Sequence, residues 1–359
     1  DPRHSALPDP RDQHRRHGVY YHVNFHDLQA SNQLAMLQAP DLIARELARA
    51  VSRGADDLLI VNSGNVRPHV LPLELVMELA RRVPKPGAEK ALADKVCRDF
   101  ARRHFGAARV AEEAYRRYFR SPWRTSRHPD ARAGEELYHH ASRAIASACL
   151  ARRTEEACPE LLWARAGTDF RAQLRWFRRR AAAGRRAWDG LLRDVERVEA
   201  ELARKAGGRF FRDNLGMQTR FHRESNLGLL HTCDGARAFA DSDLLAAFLT
   251  FTRAIRCFER AHAALVETEH GKWKGFFRGD WLTGTASTVR KLRLLRSYAR
   301  AVGDPSDSVW RRRSMPAGEA RVRLAYIWRR PIDDDALAEF LSRPGSFVPE
   351  RIIRLADPR

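Results

Sequence analysis

The chain has 359 residues, of which 44% are hydrophobic, so its composition excludes a disordered or low-complexity protein and allows roughly two domains. No window approaches the roughly 20 uninterrupted apolar residues that a bilayer requires, so we predict a soluble chain without a membrane span. The 65 lysines and arginines exceed the 45 acidic residues by 20, a surplus that suggests polyanionic partners. Only seven of the 65 are lysines and the arginines are spread along the chain, so we favour scattered, solvated helix faces over a dedicated polyanion site.

Residues 1–17 hold three prolines and several charges and are predicted to form a leader or a loop. The chain starts at Asp1 without a methionine and shows no apolar secretory segment. We therefore expect processing or truncation to have removed the true start, and the sequence leaves secreted and cytoplasmic locations open.

Two short apolar runs alternate with two amphipathic segments over residues 18–85. The pattern predicts strands over 19–25 and 57–62 and helices over 41–53 and 71–82. Continuous apolar strands that alternate with helices indicate parallel pairing, with the helices on one side and the other face of the pair exposed in this chain. A closed (β/α)₈ barrel needs roughly 200 residues or more. The predicted fold class is therefore α/β plus all-α, with the last strands of such a barrel followed by a helical bundle.

A helical period begins after Pro84-Lys85-Pro86-Gly87 and continues to about residue 302. We predict one α-only bundle domain over residues 86–302, with a core stripe that includes Phe248, Leu249, Ile255 and Phe258. Residues 303–359 are predicted to form a linker and a short C-terminal segment. The bundle helices are predicted near 87–103, 107–119, 131–151, 168–204, 222–239, 241–268 and 284–301, followed by a strand over 321–328 and a helix over 333–341.

The five cysteines form no C-x-x-C pair and no zinc-ligand pattern with histidine. A disulfide framework is disfavoured, and Cys97, Cys233 and Cys257 fall in apolar helical stretches, where a free cysteine is usually a small core residue. His22 and His26 lie four residues apart without a third ligand nearby, so we predict no metal site and no cofactor.

Polar side chains cluster where the two predicted parallel strands end, which is where ligands bind in parallel α/β folds. Aromatic faces stack on sugar rings, amides and imidazoles bond hydroxyls, and the planar fork of an arginine pairs a uronate carboxylate. The alternative is that the tyrosines are core residues and the asparagines cap turns. The candidate sugar-binding residues at these ends are Tyr21, His22, Asn24, Asn62, Asn65 and Arg67.

Two further features of the sequence are open to two interpretations. Trp273 lies between glycines after a long helix, so it is either a binding-site rim or an aromatic plug at the helix end. The triplets Arg178-Arg179-Arg180 and Arg311-Arg312-Arg313, near Trp176 and Trp310, either bind phosphates with aromatic stacking or form solvated faces, which we favour.

The two strand regions resemble those of glycoside hydrolase family 115, the xylan α-1,2-glucuronidases. The resemblance is carried by Gly18-Val19-Tyr20-Tyr21-His22, by Ile60-Val61-Asn62-Ser63-Gly64-Asn65-Val66-Arg67-Pro68, and further on by Glu224-Ser225-Asn226-Leu227 and Gly271-Lys272-Trp273. It spans roughly residues 18–280. It implies a barrel end followed by a helical domain and an uronic-acid-bearing glycan as the ligand. We include Trp273, from its position between glycines, among the candidate substrate contacts.

The chain departs from the family pattern in several places. Asn24 stands where many members have Asp, His26-Asp27-Leu28-Gln29 replaces a glycine-rich aromatic loop, and Arg67 replaces the common Lys. Glycosidases need two carboxylic residues that flank the scissile bond, and here the strand ends offer only Asp27. The resemblance places the family's acid and base on earlier strands, so we expect the isolated chain to be inactive and assign it no catalytic residue.

Two functions therefore compete. The first is the C-terminal part of an α-glucuronidase-like hydrolase that acts on glucuronoxylan side chains. The second is a basic helical protein that binds nucleic acid or acidic polysaccharide without catalysis, and a continuous arginine stripe on one face would favour it. We consider nucleic acid the less suited partner, and the sequence leaves a homodimer and the exact glycan open.

Overall fold

The computed structural model describes residues 16–23, 34–36, 38–63, 66–106, 108–127, 131–280, 283–303 and 333–342. Within these ranges the chain is mostly helical, with one two-stranded sheet. No described helix is both long and apolar enough to cross a bilayer. The predicted strand over 321–328 and the second arginine triplet lie outside the described residues.

The two strands and their helices follow the predicted order. Strand β1 (Gly18–His22) pairs in parallel with β2 (Leu58–Asn62), and the register sets Gly18 opposite Leu58 and His22 opposite Asn62. A β-carbon on Gly18 would lie 2.6 Å from the Leu58 carbonyl oxygen, so the close approach of the strands requires glycine there. The predicted parallel pairing is confirmed.

Helices α1 (Pro40–Ser52) and α2 (Val70–Arg81) cover one face of the sheet. The core beneath them contains Ile43, Leu47 and Leu75, against which alternate strand residues pack. Tyr20, Leu58 and Ile60 point to the other face and are more than half exposed. The predicted exposure of that face in this chain is therefore confirmed.

The remaining helices lie close to their predicted positions. They are α3 (Glu89–Phe105), α4 (Ala108–Tyr118), α5 (Glu135–Leu150), α6 (Phe170–Leu202), the short α7 (Gly208–Phe211), α8 (Met217–Ala240), α9 (Leu244–Val266), α10 (Thr285–Gly303) and α11 (Asp334–Ser342). A π-helical turn (Arg212–Gly216) joins α7 to α8, and short 3₁₀ turns cover Arg67–His69, Pro159–Ala164, Gly271–Trp273 and Phe276–Gly279.

The chain forms two compact units that do not follow its linear order. Unit 1 comprises Asp1–Leu137, Gly184–Arg223 and Ala264–Thr283, and unit 2 comprises Tyr138–Ala183, Glu224–Ala263 and Gly284–Arg359. Helix α3 packs on α1 and belongs to the strand-bearing unit. The domain boundaries drawn along the sequence stay a prediction.

Each unit has its own core. Unit 1 contains an aromatic cluster that includes Phe100, Phe105, Tyr115 and Trp188. In unit 2, Phe248, Ile255 and Phe258 are buried as the helical stripe predicts. Leu249 is only partly buried, so its predicted place in the core is wrong, because it lies next to Phe248 at the edge of the apolar stripe. All five cysteines are free and buried, and the three predicted to be core residues are among them.

Candidate functional site

His22 and Asn62 end the two parallel strands and face each other. The amide nitrogen Nδ2 of Asn62 lies 3.1 Å from Nδ1 of His22, across the pair that closes the strand register. This is hydrogen-bonding distance for an amide and an imidazole nitrogen. The contact fixes both side chains at the carboxyl edge of the sheet.

The ring of Tyr20 lies beside this pair. Its centroid is 4.6 Å from that of His22, and the side chain is 61% exposed. Residues two apart on a strand share a face, so Tyr20 and His22 both lie on the side opposite the helices. An exposed aromatic ring, an imidazole and an amide are therefore adjacent on one surface.

Tyr21 points to the opposite face, so the structure does not bring it together with His22 and Asn62. Its ring packs against the core beneath α1 and α2, and its hydroxyl donates to Oε1 of Gln38 over 2.8 Å. Burial raises the pKa of the Tyr21 hydroxyl well above its ordinary value. This placement matches the alternative interpretation of Tyr21 as a core aromatic residue.

Arg67 follows β2 and is enclosed within unit 1. Its Nη2 donates to the carbonyl oxygen of Thr268 over 2.5 Å and lies 3.6 Å from the carboxylate of Asp213. The guanidinium carbon is 5.2 Å from the ring centroid of Trp273 and 5.8 Å from that of Phe276, which is cation–π distance. The side chain is only 9% exposed, and Nη1 is buried without a hydrogen-bond partner.

Burial and the neighbouring carboxylates act in opposite directions on the pKa of the Arg67 guanidinium. Burial lowers its pKa, whereas the carboxylates of Asp213 and Glu269 favour the charged form. Asp213 also contacts Nε2 of His270. Arg67 is thus a buried, paired cation, not an open fork.

Hydrogen bonds within the segment that covers Arg67 fix its conformation. Glu269 accepts hydrogen bonds from the backbone amides of Gly275 and Phe277 over 2.9 and 2.7 Å. Gly275 has a φ of 72°, a left-handed conformation that suits glycine. We call residues 268–279 the aromatic strap, since it presents Trp273 and Phe276 to Arg67. Trp273 therefore acts as a cover over an arginine, closer to the plug interpretation than to an open rim.

The backbone at Arg67 is fixed from the π-helical turn and α8. The amide of Asn214 donates to the Arg67 carbonyl over 3.2 Å, and that of Gln218 donates to the Pro68 carbonyl over 3.0 Å. Both amides are buried and lie four residues apart, so they share one helix face. Two buried amide donors therefore hold the 3₁₀ turn that begins at Arg67.

The structure thus forms two groups from the candidates: His22 with Asn62, and Arg67 with Trp273. Asn24 and Asn65, like Asp27, lie outside the described residues. Within the described part of the chain, no cluster of three or more His, Cys, Asp or Glu side chains is arranged to hold a metal ion.

A family model matches the part of the chain that contains both strands. Residues 2–127 match the model of glycosyl hydrolase family 115. The match covers about a third of the chain, and we call residues 2–127 the family 115 segment. It contains both strands and the His22–Asn62 pair, so the resemblance carried by the strand motifs is confirmed.

One solved structure that the chain resembles is also a family 115 protein. It is described as a 4-O-methyl-α-glucuronidase with specificity for decorated arabinogalactans. It is 17% identical to this chain with a TM-score of 0.45, and the match covers 80% of this chain and 33% of that one. This chain therefore spans about a third of that enzyme's length. No curated protein matches the chain.

Several residues that surround Arg67 were not predicted from the sequence, and they lie outside the family 115 segment. Asp213, Glu269 and Phe276 come from parts of the chain about 150 to 210 residues further on, as the sequence numbers show. The only local signal was the spacing of Arg209 and Asp213, four apart on one helical turn. That spacing predicts an Arg209–Asp213 pair but does not indicate that Asp213 also lies beside Arg67.

Proposed function

We propose that the family 115 segment forms part of the sugar pocket of an α-glucuronidase-type glycoside hydrolase that acts on uronic-acid-bearing glycans such as glucuronoxylan. The observation that carries this proposal is the His22–Asn62 hydrogen bond at the carboxyl edge of a parallel strand pair. Ligands bind at that edge in parallel α/β folds.

The three side chains on this surface suit a sugar. An imidazole and an amide are side chains that hydrogen-bond sugar hydroxyl groups. The exposed ring of Tyr20 offers an apolar face against which a pyranose can pack. Because the His22–Asn62 contact already orders both side chains, a ligand pays little entropy to bind them.

Cleavage of a glycosidic bond needs a carboxylic acid and a carboxylate. In this proposal they belong to further strands of a barrel whose last part is residues 18–85, so the isolated chain has no turnover. The exposed strand face with Leu58 and Ile60 supports this, because parallel sheets are normally covered on both faces.

Arg67 enters the proposal as a positioning residue. Its guanidinium is already bonded to the Thr268 carbonyl and covered by Trp273, so it holds the aromatic strap against the loop that follows β2. A direct contact with the uronate carboxylate would require the strap to open. Arg67→Lys separates the two roles, since a direct contact predicts a larger loss for acidic than for neutral sugars, and a positioning role predicts equal losses.

The test begins by reading the gene upstream of the codon for Asp1. If it encodes further alternating strands and helices, the joined protein is assayed for release of glucuronic acid from glucuronoxylan and from decorated arabinogalactan. We expect His22→Ala and Asn62→Ala each to weaken substrate binding by roughly 1 to 3 kcal/mol per buried hydrogen bond lost. His140→Ala, a half-buried histidine in unit 2, is the matched control and should leave turnover unchanged.

Two outcomes would refute the proposal. A gene that starts at this chain would remove the source of the missing carboxylates. A joined protein that hydrolyses neutral glycosides as well as uronides, or that tolerates both strand-end substitutions, would show that these residues do not form an uronide pocket.

A further inference from the structure

The first half of helix α6 is strongly basic. Residues 170–183, all in unit 2, contain five arginines and no acidic residue. At about 100° per residue, their side chains spread over one outward arc, while Leu174 and Phe177 form the buried side. The five arginines are Arg171, Arg175, Arg178, Arg179 and Arg180.

Two of these arginines, at one border of the arc, are neutralised by carboxylates of α8 and of the residue that follows it. Arg171 pairs with Asp241, and Nε of Arg178 donates to Asp234 over 2.5 Å. Their charges are satisfied within the protein, so they do not offer a site to a ligand.

Arg175 and Arg179, at the centre of the arc, are different. Both are exposed, and neither forms an ion pair with a described residue. They lie four residues apart on one face, so their backbones are separated by about 6 Å along the helix axis. Two adjacent unneutralised guanidinium groups favour an anionic partner that carries more than one charge.

Arg180 lies at the other border of the arc, beside Trp176. The guanidinium carbon of Arg180 lies 3.7 Å from the ring centroid of Trp176, which in turn meets Phe177 edge-on at 4.7 Å. Burial lowers the pKa of Arg180, and the positive charge of Arg179 lowers it further. The stacking therefore holds a third cation beside the central pair.

We propose that Arg175, Arg179 and Arg180, here called the arginine face, bind carboxylates of an acidic polysaccharide. The site is independent of the strand-end pocket and does not require catalysis. A nucleic acid fits less well because Arg180 already covers a face of Trp176, whereas single-strand binders stack bases on open aromatic rings. Three cations are also fewer than the roughly six to ten phosphate contacts of a typical DNA-binding protein.

The experiment measures binding of the 359-residue chain to polygalacturonate by isothermal titration calorimetry, with fully methyl-esterified polygalacturonate as the uncharged probe. We expect binding to the acidic polymer alone. The double variant Arg175→Gln/Arg179→Gln should raise Kd about tenfold or more, and added salt should weaken binding less steeply in that variant.

The matched control is Arg253→Gln/Arg290→Gln, which removes two exposed arginines from other helices of unit 2. We expect it to change Kd by less than about twofold. An equal loss in both double variants would show that net charge alone attracts the polymer and would overturn the site. Equal binding of the esterified polymer, or tighter binding of single-stranded DNA through the same two arginines, would also overturn it.

Discussion

Trp188 and His222 stack face to face in the core of unit 1, with ring planes 3° apart and centroids 4.9 Å apart. Both side chains are fully buried. Burial lowers the pKa of His222 from 6.5 to about 3, because the charged imidazolium is poorly solvated there. A buried neutral histidine couples the stability of this unit to pH.

The first prediction follows from that coupling. Between about pH 6.5 and pH 3 the unfolded chain binds a proton at His222 that the folded chain does not, so the free energy of unfolding falls as the pH is lowered. The slope from this residue approaches about 1.4 kcal/mol per pH unit. His222→Phe keeps an aromatic ring in place and should remove that part of the slope in urea titrations at pH 4 to 7.

Phe221→Leu is the control for this measurement. It weakens a neighbouring buried position without changing a titratable group, so its loss of stability should be similar at each pH. If His222→Phe leaves the slope of the wild-type protein unchanged, His222 is not the group that titrates on unfolding.

The second prediction concerns the core of unit 2. Phe248 on α9 is fully buried, whereas Leu294 on α10 is 59% exposed. Phe248→Ala should lower the free energy of unfolding by roughly 3 to 5 kcal/mol, because it removes a large apolar side chain and leaves a cavity. Leu294→Ala should change it by less than about 0.5 kcal/mol. Denaturant melts that give similar losses for both would contradict the assigned core.

The sequence predicted the elements whose signals are local. Continuous apolar runs marked β1 and β2, and helical spacing marked α9 with Phe248 on its buried side. Strand-end logic also brought His22 and Asn62 together, because parallel strands end at the same edge. Successive side chains on a strand point to opposite faces, so Tyr21 and His22 cannot both face the same pocket. The sequence alone supports this rule, and the prediction that both line the pocket did not apply it.

The surroundings of Arg67 depend on distant parts of the chain and were not predictable in the same way. Its partner Thr268 is 201 residues away and contributes a backbone carbonyl, which every residue type possesses. No residue pattern marks such an acceptor. The two compact units likewise combine distant segments of the chain, which no local residue pattern marks.

The third prediction uses two glycines within helices. A β-carbon on Gly228 would lie 2.5 Å from the ring of Phe258, which is buried and cannot move away cheaply. Gly228→Ala should therefore destabilise the protein by roughly 1 to 3 kcal/mol despite the better helix propensity of alanine.

Gly190 is the matched comparison for that substitution. The nearest atom to its added β-carbon is the end of the Arg117 side chain, which is flexible and partly exposed. Gly190→Ala should change stability by less than about 1 kcal/mol, with helix propensity offsetting the displaced arginine. Thermal melts of the two variants should differ clearly, and equal losses would show that Phe258 does not pack on Gly228 as described.

The last prediction tests the open face of the strand pair. Ile60 is 51% exposed on β2, while Leu75 on α2 is fully buried beneath the other face of the sheet. In the 359-residue chain, Ile60→Thr should change the free energy of unfolding by less than about 0.5 kcal/mol, because threonine is also β-branched and little apolar contact is lost. Leu75→Ala should cost roughly 2 to 5 kcal/mol. If further barrel strands cover this face in a longer protein, Ile60→Thr becomes costly there as well, since a hydroxyl would be buried among apolar side chains. A cost that stays small in the longer protein would show that no strand covers Ile60, and the barrel interpretation of residues 18–85 would fail.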